Sequence, residues 1–328
     1  MSGQTEIRRL GPVDLEAVSR FRAAQEGGAY LAALRGPEYY AWKYTGAGGA
    51  IAVGAFANGE LIGLLSGLPR RVRAQGQPLE VAELGEIFVD ESARGTGIFR
   101  VLHDELFSIL RRLDVDAILC RPSAAAETIL RGAFAYAPTL SIAASTHPVP
   151  PEAPRPAPGV DPVREDDALP FGPEFDRLDA DLAADSTATV RDAAYLRRRY
   201  ALNPTPYTVI SLRAGHRLEG WLVLLAVERE GHAPDGYLVD ALLWPDVNVR
   251  RSAVAAAMRW FGECGCRRAF AWRADHPHDA AIFSDPSPLS RLKRLAYVVR
   301  PLRPAGRQLL RTSVKARWMF RMGDTDGI

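Results

Sequence analysis

Two groups of residues in this chain could do chemistry together. One is a pair of carboxylates, Glu83 and Glu86, and the other is the stretch just after them, Arg94-Gly95-Thr96-Gly97-Ile98-Phe99. A positioned carboxylate can take a proton from an incoming nucleophile. A glycine-bearing turn exposes consecutive backbone amides and lets a ligand come close. A helix starting there adds unpaired N–H groups and the positive end of its dipole, which together favour a phosphate. By itself a Gly-x-Gly is also the mark of a tight strand-to-helix turn. Here an arginine leads it, an apolar strand precedes it and an amphipathic helix follows. Glu83 and Glu86 are three residues apart, so a regular strand would point them to opposite faces and a bulge would change that.

The elements that must position these groups are legible around them. Leu79 to Val89 reads as a strand ending at Asp90. From Phe99 to Leu113 the apolar residues Val101, Leu102, Leu106, Ile109, Leu110 and Leu113 keep helical spacing. Ala117 to Cys120 reads as a short buried strand and Ala124 to Gly132 as a short helix. Strand, glycine turn, helix and strand make a crossover unit of an α/β fold, an α+β arrangement around a mixed sheet. Further on, seven prolines between Pro148 and Pro162 mark an extended, poorly packed linker. It divides the chain into residues 1–147, the linker 148–162 and residues 163–328.

The two halves repeat one pattern. Tyr39-Tyr40-Ala41-Trp42-Lys43-Tyr44 precedes an apolar strand, the turn Asn58 to Gly63 and a second strand. Tyr195-Leu196-Arg197-Arg198-Arg199-Tyr200 precedes Tyr207 to Leu212, the turn Gly215 to Gly220 and the strand Trp221 to Val227. An aromatic and basic helix end leading into a hairpin, at the same point of each half, indicates two copies of one fold. The second copy lacks the glycine loop. Its matching stretch, Trp244 to Ser252, has no glycine before a helix at Ala253 to Phe261, so side chains would crowd a pyrophosphate.

Composition excludes several classes. A chain of 328 residues suggests two domains, and its 47% hydrophobic and 24% charged residues with a net charge of +2 are those of a globular protein. Met1 to Pro12 has no signal-peptide core, and the longest apolar run, Trp221 to Val227, is too short to span a bilayer. A cytoplasmic location with no membrane span is the expectation. Cys120, Cys264 and Cys266 form neither a disulfide framework nor a zinc pattern, and His276 and His278 flank Pro277 without other ligands nearby, so no metal is expected. From Pro286 to Gly323 there are ten Lys or Arg and no acid. Trp318, Phe320 and Met322 alternate there with Arg317 and Arg321, which reads as a half-buried strand with a solvated basic face, so no nucleic acid is expected.

The residues Arg94 to Phe99, on a strand-to-helix turn, resemble the signature of the GNAT superfamily of N-acetyltransferases, Arg/Gln-x-x-Gly-x-Gly/Ala. Arg94 and Gly97 match, and Phe99 stands at the last Gly/Ala place. The segment Tyr40 to Tyr44 is similar to a branch many of whose members carry two GNAT-like halves. The resemblance implies that Arg94, Gly95, Thr96, Gly97, Ile98 and Phe99 hold the pyrophosphate of acetyl-CoA, or another acyl-CoA, as co-substrate. It implies that pantetheine pairs with the backbone of Ile87, Phe88 and Val89. The general base would come from the strand, Glu86 being preferred and Glu83 the alternative. The tyrosine that usually protonates the leaving thiolate is missing from Ser123 to Leu130, and Tyr136 just beyond is the substitute candidate. The resulting expectation is acyl transfer, acetyl first, to an amine of a small molecule, with an amino sugar as a family-level guess. Asp240, Asp324 and Asp326 could face a cationic acceptor in a cleft shaped by the second half. The rival expectation is a non-catalytic acyl-CoA-binding or scaffolding module built from degenerate GNAT halves.

Overall fold

The computed structural model describes residues 5–26, 34–165, 171–273, 293–311 and 318–322. His276, His278, Lys315, Arg317, Asp324 and Asp326 lie outside them. The first half runs β1 (Thr5–Arg9), α1 (Leu15–Glu26), α2 (Pro37–Tyr40), β2 (Ile51–Ala57), β3 (Glu60–Ala74), β4 (Gln77–Val89), α3 (Ile98–Arg112), β5 (Ala117–Cys120), α4 (Ala124–Phe134) and β6 (Ala137–Pro148). The second half runs β7 (Asp161–Glu165), α5 (Pro173–Ala183), β8 (Thr187–Thr189), α6 (Ala193–Leu196), β9 (Thr208–Ala214), β10 (Arg217–Arg229), β11 (His232–Leu243), α7 (Val247–Glu263), β12 (Arg268–Arg273), β13 (Lys293–Pro301) and β14 (Trp318–Met319). The aromatic and basic repeat is structural as well as sequential. In each half the short second helix continues into a five-residue π turn, Ala41–Thr45 and Arg197–Ala201.

The strands form one continuous mixed sheet in the order β1-β2-β3-β4-β5-β13-β6-β12-β11-β10-β9-β7. Read from either end, it is the same fan: three antiparallel neighbours, then a parallel pair, β4 with β5 and β11 with β12. Between the fans the halves trade strands. β13 of the second half pairs with β5 of the first, and β6 of the first pairs with β12 of the second. Each fan is therefore completed by the other half, which ties the two into one hydrogen-bonded body.

Helices cover both faces. Leu102, Leu106 and Leu110 of α3 and Leu130 and Phe134 of α4 pack on Val53, Leu65, Leu84 and Cys120. On the opposite face Val18 and Phe21 of α1 and Tyr39 and Tyr40 of α2 pack on Ala52, Phe56 and Leu64.

Two expectations are refined. The proline-rich stretch, exposed along most of its length, is anchored near its end: Ala157 and Val160 are buried, and Ser252 Oγ on α7 accepts from the Ala157 amide at 2.9 Å and donates to the Val160 carbonyl at 3.0 Å. Proline removes amide donors, so one hydroxyl serves both the amide and the carbonyl available at this point. In the basic segment near the C-terminus, the described residues 318–322 do not form the expected strand with a solvated face. β14 is two residues long, and Arg321 is only 4% exposed among buried Trp318, Phe320 and Met322.

Candidate functional site

The glycine loop sits where β4 hands over to α3. Asp90 accepts from the Ser92 amide and starts a single 3-10 turn, and Arg94 Nε donates to the Val89 carbonyl at 3.2 Å, tying the loop to the strand end. Gly95 and Gly97 take φ of 79° and 89°, a region L side chains rarely adopt. Gly97 is the N-cap of α3 and supplies no side-chain bond to the helix amides. Among the described residues the amides of Gly95, Gly97, Ile98 and Phe99 make no hydrogen bond, while Thr96 is turned back onto Ala93. Nothing lies within 4 Å of where a Cβ would stand at Gly95 or Gly97. Four unbonded donors at a helix start, in an exposed loop carrying Arg94, fit a diphosphate.

The corresponding point of the second half is closed. α7 begins at Val247, earlier than the sequence reading placed it, because Asp246 caps it. The Asp246 carboxylate accepts from the Asn248 amide at 2.7 Å and from the Val249 amide at 3.2 Å. An incoming phosphate would meet those donors already used and a like charge in the way.

Behind the loop, β4 and β5 part. Their parallel pairing runs from Val81–Ala117 to Leu84–Cys120, where β5 stops while β4 continues to Val89. Ile87, Phe88 and Val89 border the gap and are half-buried, leaving a strand edge that can pair with an extended ligand. A bulge sits here too: Leu64 faces Phe88 but Ser66 faces Gly85, and Glu86 takes φ of 49°. The bulge resets the alternation, so both carboxylates lie on the α1/α2 face. Glu86 is held by Arg22 Nε at 2.5 Å and Lys43 Nζ at 2.8 Å, all three side chains being 3% exposed or less. The Tyr40 phenol beside it is pushed up to about 12, by burial first and by the Glu86 charge second. Glu83 accepts a hydrogen bond from the Tyr297 hydroxyl, and Arg70 lies 3.9 Å away.

Tyr136 joins neither carboxylate. It sits in the core on the α3/α4 face, its hydroxyl 3.2 Å from His103 Nε2, and burial holds its phenol well above the usual range. His103 is pushed down to about 4 by burial and by Arg300, so it is a neutral ring in that core. Asp240, read as open to a cationic acceptor, is fully buried. Arg191 Nε holds it at 3.0 Å and the Tyr200 hydroxyl donates to it at 2.8 Å. It is the counterpart of Glu86: β11 also carries a register shift there, opposite Val223 and Leu224, and Tyr200 comes from the equivalent π turn. Sequence reasoning missed Arg22, Arg70 and Tyr297, and no local signal marks them. Lys43 lay in the aromatic and basic motif without a role.

Among the described residues no helix is long and apolar enough to cross a membrane, and no cluster of three His, Cys, Asp or Glu groups as a metal site would.

Residues 17–129 match the family model described as an acetyltransferase (GNAT) domain. Comparison with the curated proteins gives no match. Among solved structures, a conserved protein of unknown function from Enterococcus faecalis V583, described as a probable N-acyltransferase, superposes with a TM-score of 0.65 at 14% identity, over 93% of this chain and 74% of that one. A tandem GNAT protein from the clavulanic acid biosynthesis pathway gives 0.63 at 12% identity, over 92% and 99%. The N-myristoyltransferase of Saccharomyces cerevisiae with bound myristoyl-CoA gives 0.62 at 11% identity, over 91% and 83%. At these identities the structures speak for the fold, and the family model speaks for the first half. Residues 17–129 are thus similar to a GNAT acetyltransferase domain, and the chain as a whole, its two halves sharing one sheet, has the fold of these solved structures.

Proposed function

We propose that the chain transfers an acyl group, acetyl first among the candidates, from coenzyme A to an amine of a small molecule. We assign donor binding to residues 1–147 and shaping of the acceptor cleft to residues 163–328, across the segment 148–162. The observation that carries this reading is the contrast between the helix starts: the amides at Gly95 to Phe99 make no bond, whereas those of α7 are taken by Asp246. One neighbour named above was solved with bound myristoyl-CoA, which supports the same class of donor.

Coenzyme A would supply an activated acyl thioester. Arg94 and the amides of Gly95, Gly97, Ile98 and Phe99 would hold its diphosphate, with Thr96 shaping the turn, and the free edge of Ile87 to Val89 would hold the pantetheine arm. Backbone amides near Phe88 would donate to the carbonyl oxygen as charge develops there. Glu86 or Glu83 would take the proton that an amine must lose before attack, directly or through water. An amino sugar is one acceptor class; amino acids, peptides and other amines are alternatives. The non-catalytic reading draws on one observation, that α4 carries no tyrosine and Tyr136 is committed to the core.

Thiol release from acetyl-CoA, followed across primary amines that include amino sugars, amino acids and short peptides, separates the two readings. Acyl transfer predicts release that depends on at least one amine class. Tight acetyl-CoA binding with no amine-dependent release in any class would favour the binding module.

A further inference from the structure

The exchange of strands brings one residue of the second half to the end of the β4–β5 pairing in the first. β13 pairs with β5 as far as Val298–Cys120, and Tyr297 is the next residue, beyond the end of β5. On the other side of β5, the β4 pairing ends at Leu84–Cys120, with Glu83 one residue inside it. Because β5 is only four residues long, the Tyr297 ring passes its end and the hydroxyl donates to the Glu83 carboxylate across 214 positions of sequence. The two groups meet at the point where the β4–β5 pairing ends, the point from which β4 runs on alone through Ile87 to Val89 towards the glycine loop. Phe320 and Trp318 cover the ring, with centroids 4.7 and 6.2 Å away, and leave Tyr297 1% exposed.

We propose that Glu83 and Tyr297 are the pair that handles protons in acyl transfer, the tyrosine reaching the first half's site on the second half's exchanged strand. The proposal rests on the acyl-CoA reading above and decides between its two carboxylates. Glu86 is committed elsewhere. Its double ion pair with Arg22 and Lys43 is matched in part by Asp240, which takes one cation, Arg191, and a hydrogen bond from the Tyr200 hydroxyl, in the half whose helix start is plugged. An arrangement present where no phosphate loop exists belongs to the fold: it fastens the π turn to the strand bulge. Tyr136 is on the other face with His103 and the Tyr40 phenol stands with Glu86, so Tyr297 is the phenol that serves Glu83.

The proton bookkeeping closes with these two residues. Glu83 takes one proton from the ammonium form of the acceptor. As the C–N bond forms and the C–S bond breaks, with its electron pair leaving on sulfur, Tyr297 gives its proton to the sulfur and recovers one from Glu83. Glu83 then takes the second nitrogen proton and releases it to solvent, one proton per amide made. Burial by Trp318 and Phe320 keeps competing water away from the pair.

The test needs no acceptor: the thiol of coenzyme A bound to the full chain is titrated by its thiolate absorbance. A hydroxyl beside the sulfur stabilises the thiolate, and hydrogen bonds to charged groups are strong enough to move a titration by about one unit or more. Tyr297→Phe, confirmed folded by circular dichroism, should raise the bound thiol's midpoint by about that much while coenzyme A affinity stays within roughly twofold. Glu83→Gln should lower it, by removing a like charge and freeing the phenol. That opposite shift keeps the test open if Tyr297→Phe does not fold. With any amine the native chain accepts, Tyr297→Phe should lower kcat by roughly 10²–10⁴-fold, the range for losing an acid or base, with KM for acetyl-CoA unchanged. A bound thiol that titrates identically in the native chain and both variants overturns the pair and leaves the acyl-CoA reading standing. A native chain that does not bind coenzyme A overturns both.

Discussion

Gly97→Asp should abolish acetyl-CoA binding, raising Kd by at least about 100-fold, which is roughly 2.7 kcal/mol. Three effects add in the same direction. Gly97 has φ of 89°, and holding an L residue there costs about 1–3 kcal/mol unless the loop rearranges. Gly97 is the N-cap of α3, as Asp246 is the N-cap of α7, so the new carboxylate would stand where it can bond the first helix amides itself, as Asp246 bonds those of Asn248 and Val249. It would also place a negative charge against a diphosphate. Gly97→Ala, which keeps the backbone effect without the plug or the charge, should weaken binding by much less. Calorimetry on both variants, with far-ultraviolet spectra showing an intact fold, checks the ordering. Equal loss in the two would mean that backbone strain alone accounts for the effect and the plug argument fails.

Glu86→Ala should destabilise the protein by about 3–5 kcal/mol, because removing one partner of a buried ion pair leaves the other without its main compensation. Here two cations, Arg22 and Lys43, converge on the one carboxylate, and Arg22 also lies 3.6 Å over the Phe88 ring. Against a total stability of about 5–15 kcal/mol this is a large share. The same change at Asp240, with Arg191 and Tyr200 as its partners, should have a comparable effect although that residue lies in the half with no loop. Denaturant unfolding of the two variants beside the native chain measures this. Loss of turnover in Glu86→Gln at native stability would instead make Glu86 a base and displace Glu83 from that role.

The parts of the site that were legible in the sequence are the parts made locally. The strand before the loop, the glycines and α3 follow from periodicity and turn chemistry within about thirty residues, and the loop's amides lie where that reading put them. What escaped is made at a distance or by a small irregularity. The bulge that turns Glu86 onto the face of Glu83 leaves no mark in residue types. The trading of β6 and β13 is a choice of pairing partner, and an alternating strand pattern does not say which edge it will join. Tyr297 was therefore invisible as a partner of Glu83. The plug at α7 was in principle readable, since an aspartate just before an apolar helical run is an N-cap signal. The apolar run alone puts the helix start at Ala253, six residues after the capped start at Val247. The anchor of the proline stretch escaped because composition reports what a segment cannot donate, not what a neighbour such as Ser252 can supply.

The exchanged strands also change how the halves can be separated. A chain cut in the segment 148–162 would lose β13 from between β5 and β6, and with it Tyr297, so the first half's sheet would be left incomplete. The division of labour between the halves is accordingly best read in the full chain. Isothermal titration of the full chain with acetyl-CoA puts the central claim to its most direct test, because the claim is an asymmetry within a repeat. One binding site per chain is the predicted result, retained when Asp246 is replaced by Asn and lost when Gly97 is replaced by Asp. Two sites per chain, or a single site that survives Gly97→Asp, would contradict it.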